Sequence, residues 1–255
     1  MINGTPGQPL RSSLYSDGLV LWHLMRGQRG GADEGHANSL QRFYAPQAEH
    51  YDHFRERLLQ GRRELIERLA PQPGNTVVEL GGGTGRNLEF FGPRMLSLER
   101  VDVVDICPAL LDVARKRCDA WPGVARAIQA DAAHYQPEWP VDRVYFSYSL
   151  TMMPDWRAAI ENAVRMLKPG GLLGVVDFYV SSNRPEPGFV RHSLLARRFW
   201  PRWFAHSGVH PSADHLPALR EHTRLVHCSE HLARIPYLPG LKVPYYLYVG
   251  RKRAR

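Results

Sequence analysis

Between Thr76 and Gly85 the chain reads Thr-Val-Val-Glu-Leu-Gly-Gly-Gly-Thr-Gly, and few folds accommodate such a stretch. Residues 76–80 form a short β-prone, mostly apolar run of the kind that fills a buried parallel strand. The glycines that follow, Gly81, Gly82, Gly83 and Gly85, remove side chains where the chain must turn sharply and approach a ligand. This is the turn of a nucleotide-binding α/β domain. It is not a phosphate-gripping P-loop, because Arg86 and Asn87 stand where that loop needs a lysine and a hydroxyl. Nor is it the dinucleotide fingerprint, whose third glycine lies three residues beyond the second.

The segments after this turn keep a βα rhythm. Residues 101–105 read as a second strand ending on Asp105, 24 residues beyond Gly81, where a carboxylate can accept both hydroxyls of a ribose. Pro108 permits a helix start, and a weaker third strand over residues 125–130 ends on Asp131. Either acid can instead serve as a helix cap. Residues 141–147 read as a fourth strand, and residues 147–156 as the loop past its carboxyl end, where open α/β sheets bind ligands. Asp155 is placed to cap a helix carrying Trp156, Ile160, Val164 and Leu167, which Pro169 and Gly170 end. A nearly continuous apolar fifth strand over 171–179, a short strand near 224–228 and a longer one over 243–249 complete a mostly parallel, seven-stranded, Rossmann-like sheet.

Two regions stand outside that pattern. Residues 1–37 form a Gly- and Pro-rich arm around one apolar segment, residues 19–25, too short for a membrane span and poor as a signal segment. The main domain is assigned to 38–255, opening with amino-terminal helices from Ser39 to Leu69 that fold over the ligand. An insertion at about 180–222 interleaves Leu194, Leu195, Phe199, Trp200, Trp203 and Phe204 with Arg191, Arg197, Arg198 and Arg202. Such a helix can seat in a phospholipid headgroup layer, arginines on phosphates and aromatics in the boundary, or it can cap the site; Pro201 is expected to split it. The formal charge of +8, nearly all from arginine, favours anionic surfaces. Three cysteines without a paired framework suit a reducing, cytoplasmic setting.

Glu79 before the first glycine, the missing phosphate-clamping lysine and the acid after the second strand suit a zwitterionic nucleoside, S-adenosylmethionine. Glu-Leu-Gly-Gly-Gly-Thr-Gly resembles the first motif of class I methyltransferases. That resemblance implies a cofactor site of Glu79, Gly81, Gly82, Gly83, Gly85, Asp105, Ile106, Asp131, Ala132 and Ser147, with Tyr51 and Arg62 reaching the methionine carboxylate. Further segments, 40–44, 51–52, 59–62, 147–156, 175–178, 199–205 and 243–250, resemble the methyltransferase of bacterial betaine-lipid synthesis, which trimethylates the amine of diacylglycerylhomoserine. More loosely, the chain is similar to bacterial phosphatidylethanolamine N-methyltransferases. The resemblance implies an amino-containing lipid acceptor and a cytoplasmic, peripheral place at the inner membrane face. A soluble amine or amino acid as acceptor, and a non-catalytic cofactor-binding protein, remain alternatives.

For such chemistry the candidate catalytic residues are Tyr148, Tyr44, His50 and His53, the histidines as proton acceptors between rounds. Tyr148 and Tyr179 are candidate aromatic faces for a progressively methylated amine, and Arg184 and Arg191 candidate partners of an acceptor carboxylate. No metal is expected, because the histidine segments lack the spacing of a ligand set. Nucleic acid is an unlikely partner: the Asn/Asp-Pro-Pro-Tyr/Phe tetrapeptide that positions base amines is absent after strand four, where Ser147-Tyr-Ser-Leu stands. The sequence leaves oligomeric state open.

Overall fold

The computed structural model describes residues 57–205, 207–236, 238 and 240–253. The arm, and with it Tyr44, His50, Tyr51 and His53, lies outside them. Helix α1 (Arg62–Leu69) comes first. Strand β1 (Thr76–Leu80) runs into the glycine turn and a 3-10 segment, Arg86–Ser97. Then follow β2 (Arg100–Asp105), α2 (Pro108–Cys118), β3 (Ala125–Gln129) and β4 (Val141–Ser147). After a 3-10 turn at Leu150–Met152 come α3 (Trp156–Met166), β5 (Leu167–Phe178), α4 (Leu194–Ala205), α5 (His215–His222), β6 (Thr223–Arg234) and β7 (Lys242–Lys252).

The seven strands form one sheet in the order β3-β2-β1-β4-β5-β7-β6. The first five are parallel, while β7 is antiparallel to both β5 and β6. Strand order reverses between β1 and β4, so the carboxyl ends of those strands open a crevice at the glycine turn. Apolar side chains cover both faces: Leu65, Ile66, Val101, Val103 and Leu111 belong to one cluster, Val78, Leu80, Val144, Phe146 and Ile160 to the other. Being covered on both faces is what makes the central strands read as unbroken apolar runs.

Local chemistry sets several element ends. Asp155 Oδ1 accepts from the Ala158 N–H at 3.2 Å and caps α3, and Pro108 opens α2. Two expectations are corrected. Strand β6 extends to Arg234, well past residue 228, because its later residues pair with β7 down to Arg234 opposite Lys242. Pro201 does not split the insertion helix, which continues to Ala205. Beside it, Arg202 donates from Nη1 to the Arg198 carbonyl at 3.1 Å.

Candidate active site

At the end of β1 the backbone bends through left-handed conformations at Gly81, Gly83 and Gly85, with φ of 71°, 55° and 70°. Space is as restrictive as torsion: a Cβ on Gly81 would lie 2.5 Å from Ser149 Cβ, and one on Gly82 would lie 2.6 Å from Val103 Cγ1. Gly81 and Gly82 donate their N–H groups to the Val104 carbonyl at 2.8 and 3.0 Å, which fixes the turn to β2. Asp105, at the tip of β2, accepts from Gly83 N at 2.8 Å and from Cys107 N at 2.9 Å. One carboxylate thus sets both the turn and the entry to α2.

A cavity opens over this turn. Its wall contains Gly81, Gly83, Asp105, Ile106, Leu110, residues 130–134, residues 148–149, residues 152–155 and Ala159. Of the residues singled out from sequence, Gly81, Gly83, Asp105, Ile106, Asp131, Ala132 and Tyr148 come together here. Asp131 accepts from Ala133 N at 2.8 Å and lies 3.4 Å from His134 Nδ1, so it also turns the chain after β3. The wall carries three aspartates and no lysine or arginine. That donor set suits a cationic nucleoside and is wrong for a polyphosphate, which needs basic side chains.

The structure places other candidates elsewhere. Glu79 is buried behind the turn, where its carboxylate accepts from Asn87 Nδ2 at 2.6 Å and Tyr145 Oη at 3.0 Å. Burial pushes its pKa up to about 7, against those two hydrogen bonds and the nearby Arg62 charge, which pull it down. Arg62 is buried in the same network, donating to Asn87 Oδ1 at 3.3 Å and to the Leu59 carbonyl at 3.0 Å. Both residues brace the turn from behind and lie off the cavity wall. Gly82 and Gly85 are packing positions, the second against Ala114. Ser147 is buried in β4, off the wall, with no partner for its Oγ. Tyr179 is buried on the sheet against Tyr246 and His192, and Arg184 and Arg191 are exposed in the insertion; none of the three reaches the cavity.

Tyr148 is on the wall but mostly committed. Its hydroxyl donates to the Gln60 carbonyl at 2.6 Å and its ring packs 4.6 Å from that of Phe178. It also takes φ of 55°, a costly conformation for a non-glycine residue. Strain of this kind persists only where surroundings over-determine it, and the Gln60 bond and ring packing do so. The 147–156 loop is at the ligand as its sequence suggested, although Ser149, whose Oγ donates to the Leu80 carbonyl at 2.8 Å, and the wall residues Met152, Met153 and Pro154 were not singled out. Also missed was Asp177 of β5. It is fully buried, accepting from Thr151 Oγ1 at 2.8 Å, Thr151 N at 3.2 Å and Phe178 N at 2.8 Å. An acid inside an apolar strand was the available signal; its partner, 26 residues away, was not legible.

Comparison with known proteins agrees with this geometry. Residues 77–171 match the family model described as a methyltransferase domain. Trans-aconitate 2-methyltransferase of Enterobacter sp. is 32% identical over 127 residues, 50% of this chain and 47% of that protein. A ubiquinone/menaquinone biosynthesis C-methyltransferase of Hydrogenovibrio crunogenus is 34% identical over 122 residues, 46% of this chain and 47% of that one. The chain thus spans about half the length of the curated relatives it matches. The N-methyltransferase NodS of Bradyrhizobium japonicum, solved with S-adenosyl-l-homocysteine, shares the fold with a TM-score of 0.63 at 19% identity, over 87% of this chain and 100% of that one. Residues 77–171 are thus a methyltransferase domain, carried on a seven-stranded, Rossmann-like sheet. Its cofactor is S-adenosylmethionine, and the acid-lined, glycine-floored cavity fits that molecule.

Proposed function

We propose that the protein is an N-methyltransferase that trimethylates the homoserine amine of diacylglycerylhomoserine to give a betaine lipid, acting at the inner face of the cytoplasmic membrane. The observation that carries the methyl-transfer reading is the cavity wall beside the glycine turn, with Asp105, Asp131 and Asp155 and no lysine or arginine. The acceptor reading rests on the sequence segments that resemble the betaine-lipid family. The same wall supports it, because a cationic amine meets no like charge there.

When bound, S-adenosylmethionine supplies an electrophilic methyl group on a positively charged sulfur. Asp105 would hold the ribose hydroxyls, Gly81 and Gly83 would let the cofactor lie on bare backbone, and Asp131 with Ala132 would border the adenine. Met152, Met153 and Pro154 give the cavity an apolar wall, which favours a desolvated, neutral amine as nucleophile. Asp177, through Thr151, fixes the loop that carries them. Each transfer from a primary or secondary amine releases one proton, which the open cavity can pass to solvent.

The test is incubation with methyl-labelled cofactor and separate lipid, amino-acid and RNA fractions. Label in an amino lipid, advancing through mono-, di- and trimethylated products, is expected. Label in RNA alone, or in none of the fractions, overturns the reading.

A further inference from the structure

A second polar cluster lies beneath the insertion, on the sheet face that bears α3 and α5. Asp177 of β5, Tyr246 of β7 and Glu230 of β6 stand opposite one another in the strand registers and so share one face. Tyr179 lies two residues beyond Asp177 on that face and its ring meets Tyr246 at 5.5 Å. His215, the first residue of α5, closes the group, 6.4 Å from the Tyr246 ring. Tyr179, Tyr246 and His215 are each at most 3% exposed.

These side chains bury polar atoms with nothing to bond. Seven buried side-chain polar atoms lack a partner among the described residues, and five of them belong here: Tyr179 Oη, Tyr246 Oη, both ring nitrogens of His215 and Glu230 Oε1. Folded proteins satisfy nearly all such atoms, because an orphan gives up its bonds to water and gains none in return. Four of the five atoms sit on rings in contact, Tyr179 and His215 each against Tyr246, and Glu230 stands opposite Tyr246 in the strand register, so together they form a prepared surface. The cluster also adjoins the cofactor cavity. Asp155 and Ala159 are on the cavity wall, and Trp156, between them in sequence, sets its ring 4.6 Å from His215.

We propose that Tyr179, Tyr246, His215 and Glu230 form a polar site beside the cofactor cavity that holds part of the methyl acceptor's head, the reacting amine itself lying in the cavity. Two phenols and an imidazole offer donors and acceptors together, while Glu230 offers only an acceptor. The chemistry fits an amine or zwitterionic head and disfavours phosphate, which would face that carboxylate. Burial drives the His215 pKa down to about 4, so the ring is neutral at physiological pH and keeps one donor and one acceptor nitrogen. This inference deepens the acceptor reading above and rests on it.

The test uses the full chain with S-adenosylhomocysteine bound, homoserine and ethanolamine as soluble probes, and phosphate as control. The variants are Tyr246→Phe and Tyr179→Phe, which remove only the orphan hydroxyls. A hydroxyl awaiting a ligand should leave Tm unchanged or raised when lost, while KM for the amino-lipid acceptor rises about 5- to 30-fold, the scale of one lost hydrogen bond, with kcat and cofactor Kd little changed. In protein labelled at histidine, the His215 ring signals should shift with homoserine or ethanolamine and not with phosphate. If Tm falls in both variants with KM unmoved, the hydroxyls hold structural water only and the site is overturned, even with amine transfer intact. If no amine is methylated but the His215 shift appears and weakens in Tyr246→Phe, the ligand site stands and the proposed reaction falls. Absence of any probe-dependent shift overturns the site.

Discussion

Asp105 shows how one side chain can carry two tasks. It holds the glycine turn through Gly83 and is the acid best placed for ribose hydroxyls. Asp105→Ala should therefore weaken S-adenosylmethionine binding by about 1–3 kcal/mol, the scale of charge-assisted hydrogen bonds, and titration calorimetry showing unchanged affinity would remove the ribose assignment. Tyr148 separates ring from hydroxyl. Tyr148→Phe loses the bond to the Gln60 carbonyl and should cost about 0.5–1.5 kcal/mol of stability while still yielding trimethylated product. Tyr148→Ala, which removes the wall itself, should accumulate mono- and dimethylated product by mass spectrometry; normal product ratios would dismiss the ring from acceptor handling.

The strands and their connecting loops carry the buried charges, and these give stability a definite pH response. Burial raises both Glu79 of β1 and Asp177 of β5 to about 7. A carboxyl with a raised folded pKa binds its proton more tightly in the folded chain, so its contribution is fully present below about pH 4 and is lost as pH rises toward 7. His215 of α5 runs the other way: its pKa is depressed to about 4, so its contribution is lost as pH falls from 6.5 through 4. Asp177→Asn should flatten the carboxyl-driven decline between about pH 4 and 7, and urea unfolding across that range would show it; an unaltered slope would mean Asp177 is not the titrating group. In β2, fully buried Asp102 accepts from Arg126 at 2.9 and 3.1 Å and from Tyr135 Oη at 2.9 Å. Arg100 Nε donates to it as well, at 3.2 Å, so Asp102→Ala leaves two cations and a phenol unmatched beside the β2–β3 ladder and should cost about 3 kcal/mol, read as a lower urea midpoint. The sheet is legible in the sequence because apolar strands, glycine turn and capping acids each have local causes. The partners of Glu79, Asp177 and Asp102 were not. They are set by register and by contacts between distant segments, and Glu79 was accordingly expected at the ligand when it braces the turn from behind.

At the scale of the whole molecule, the insertion decides how this domain meets its surroundings. No helix among the described residues is long and apolar enough to cross a membrane. The insertion helix turns its aromatic residues inward, with Trp200 and Phe204 buried and Phe199 and Trp203 packed against the core, contrary to the expectation that they enter a lipid boundary. What it presents instead is aliphatic: Val190, Leu194 and Leu195 are 54, 57 and 77% exposed, near the exposed guanidinium groups of Arg191, Arg198 and Arg202. Between Pro187 and Ala213 the sequence contains no acidic residue, so this face carries positive charge without internal compensation. Arg197 contributes less, being partly buried and bonded to Asn183 Oδ1 at 3.0 Å. Each arginine near an anionic bilayer contributes about 1 kcal/mol, screened beyond a Debye length of roughly 8 Å at physiological salt. Reversing Arg191, Arg198 and Arg202 to glutamate should thus lower binding to phosphatidylglycerol vesicles by at least about 100-fold, with cofactor affinity unchanged because none of the three lines the cavity. Leu194→Ser with Leu195→Ser should weaken binding at high salt as well as low, since apolar insertion is not screened. Vesicle flotation at two ionic strengths distinguishes these terms, and equal flotation of parent and variants would return the insertion to the role of a lid over the cluster at Tyr246.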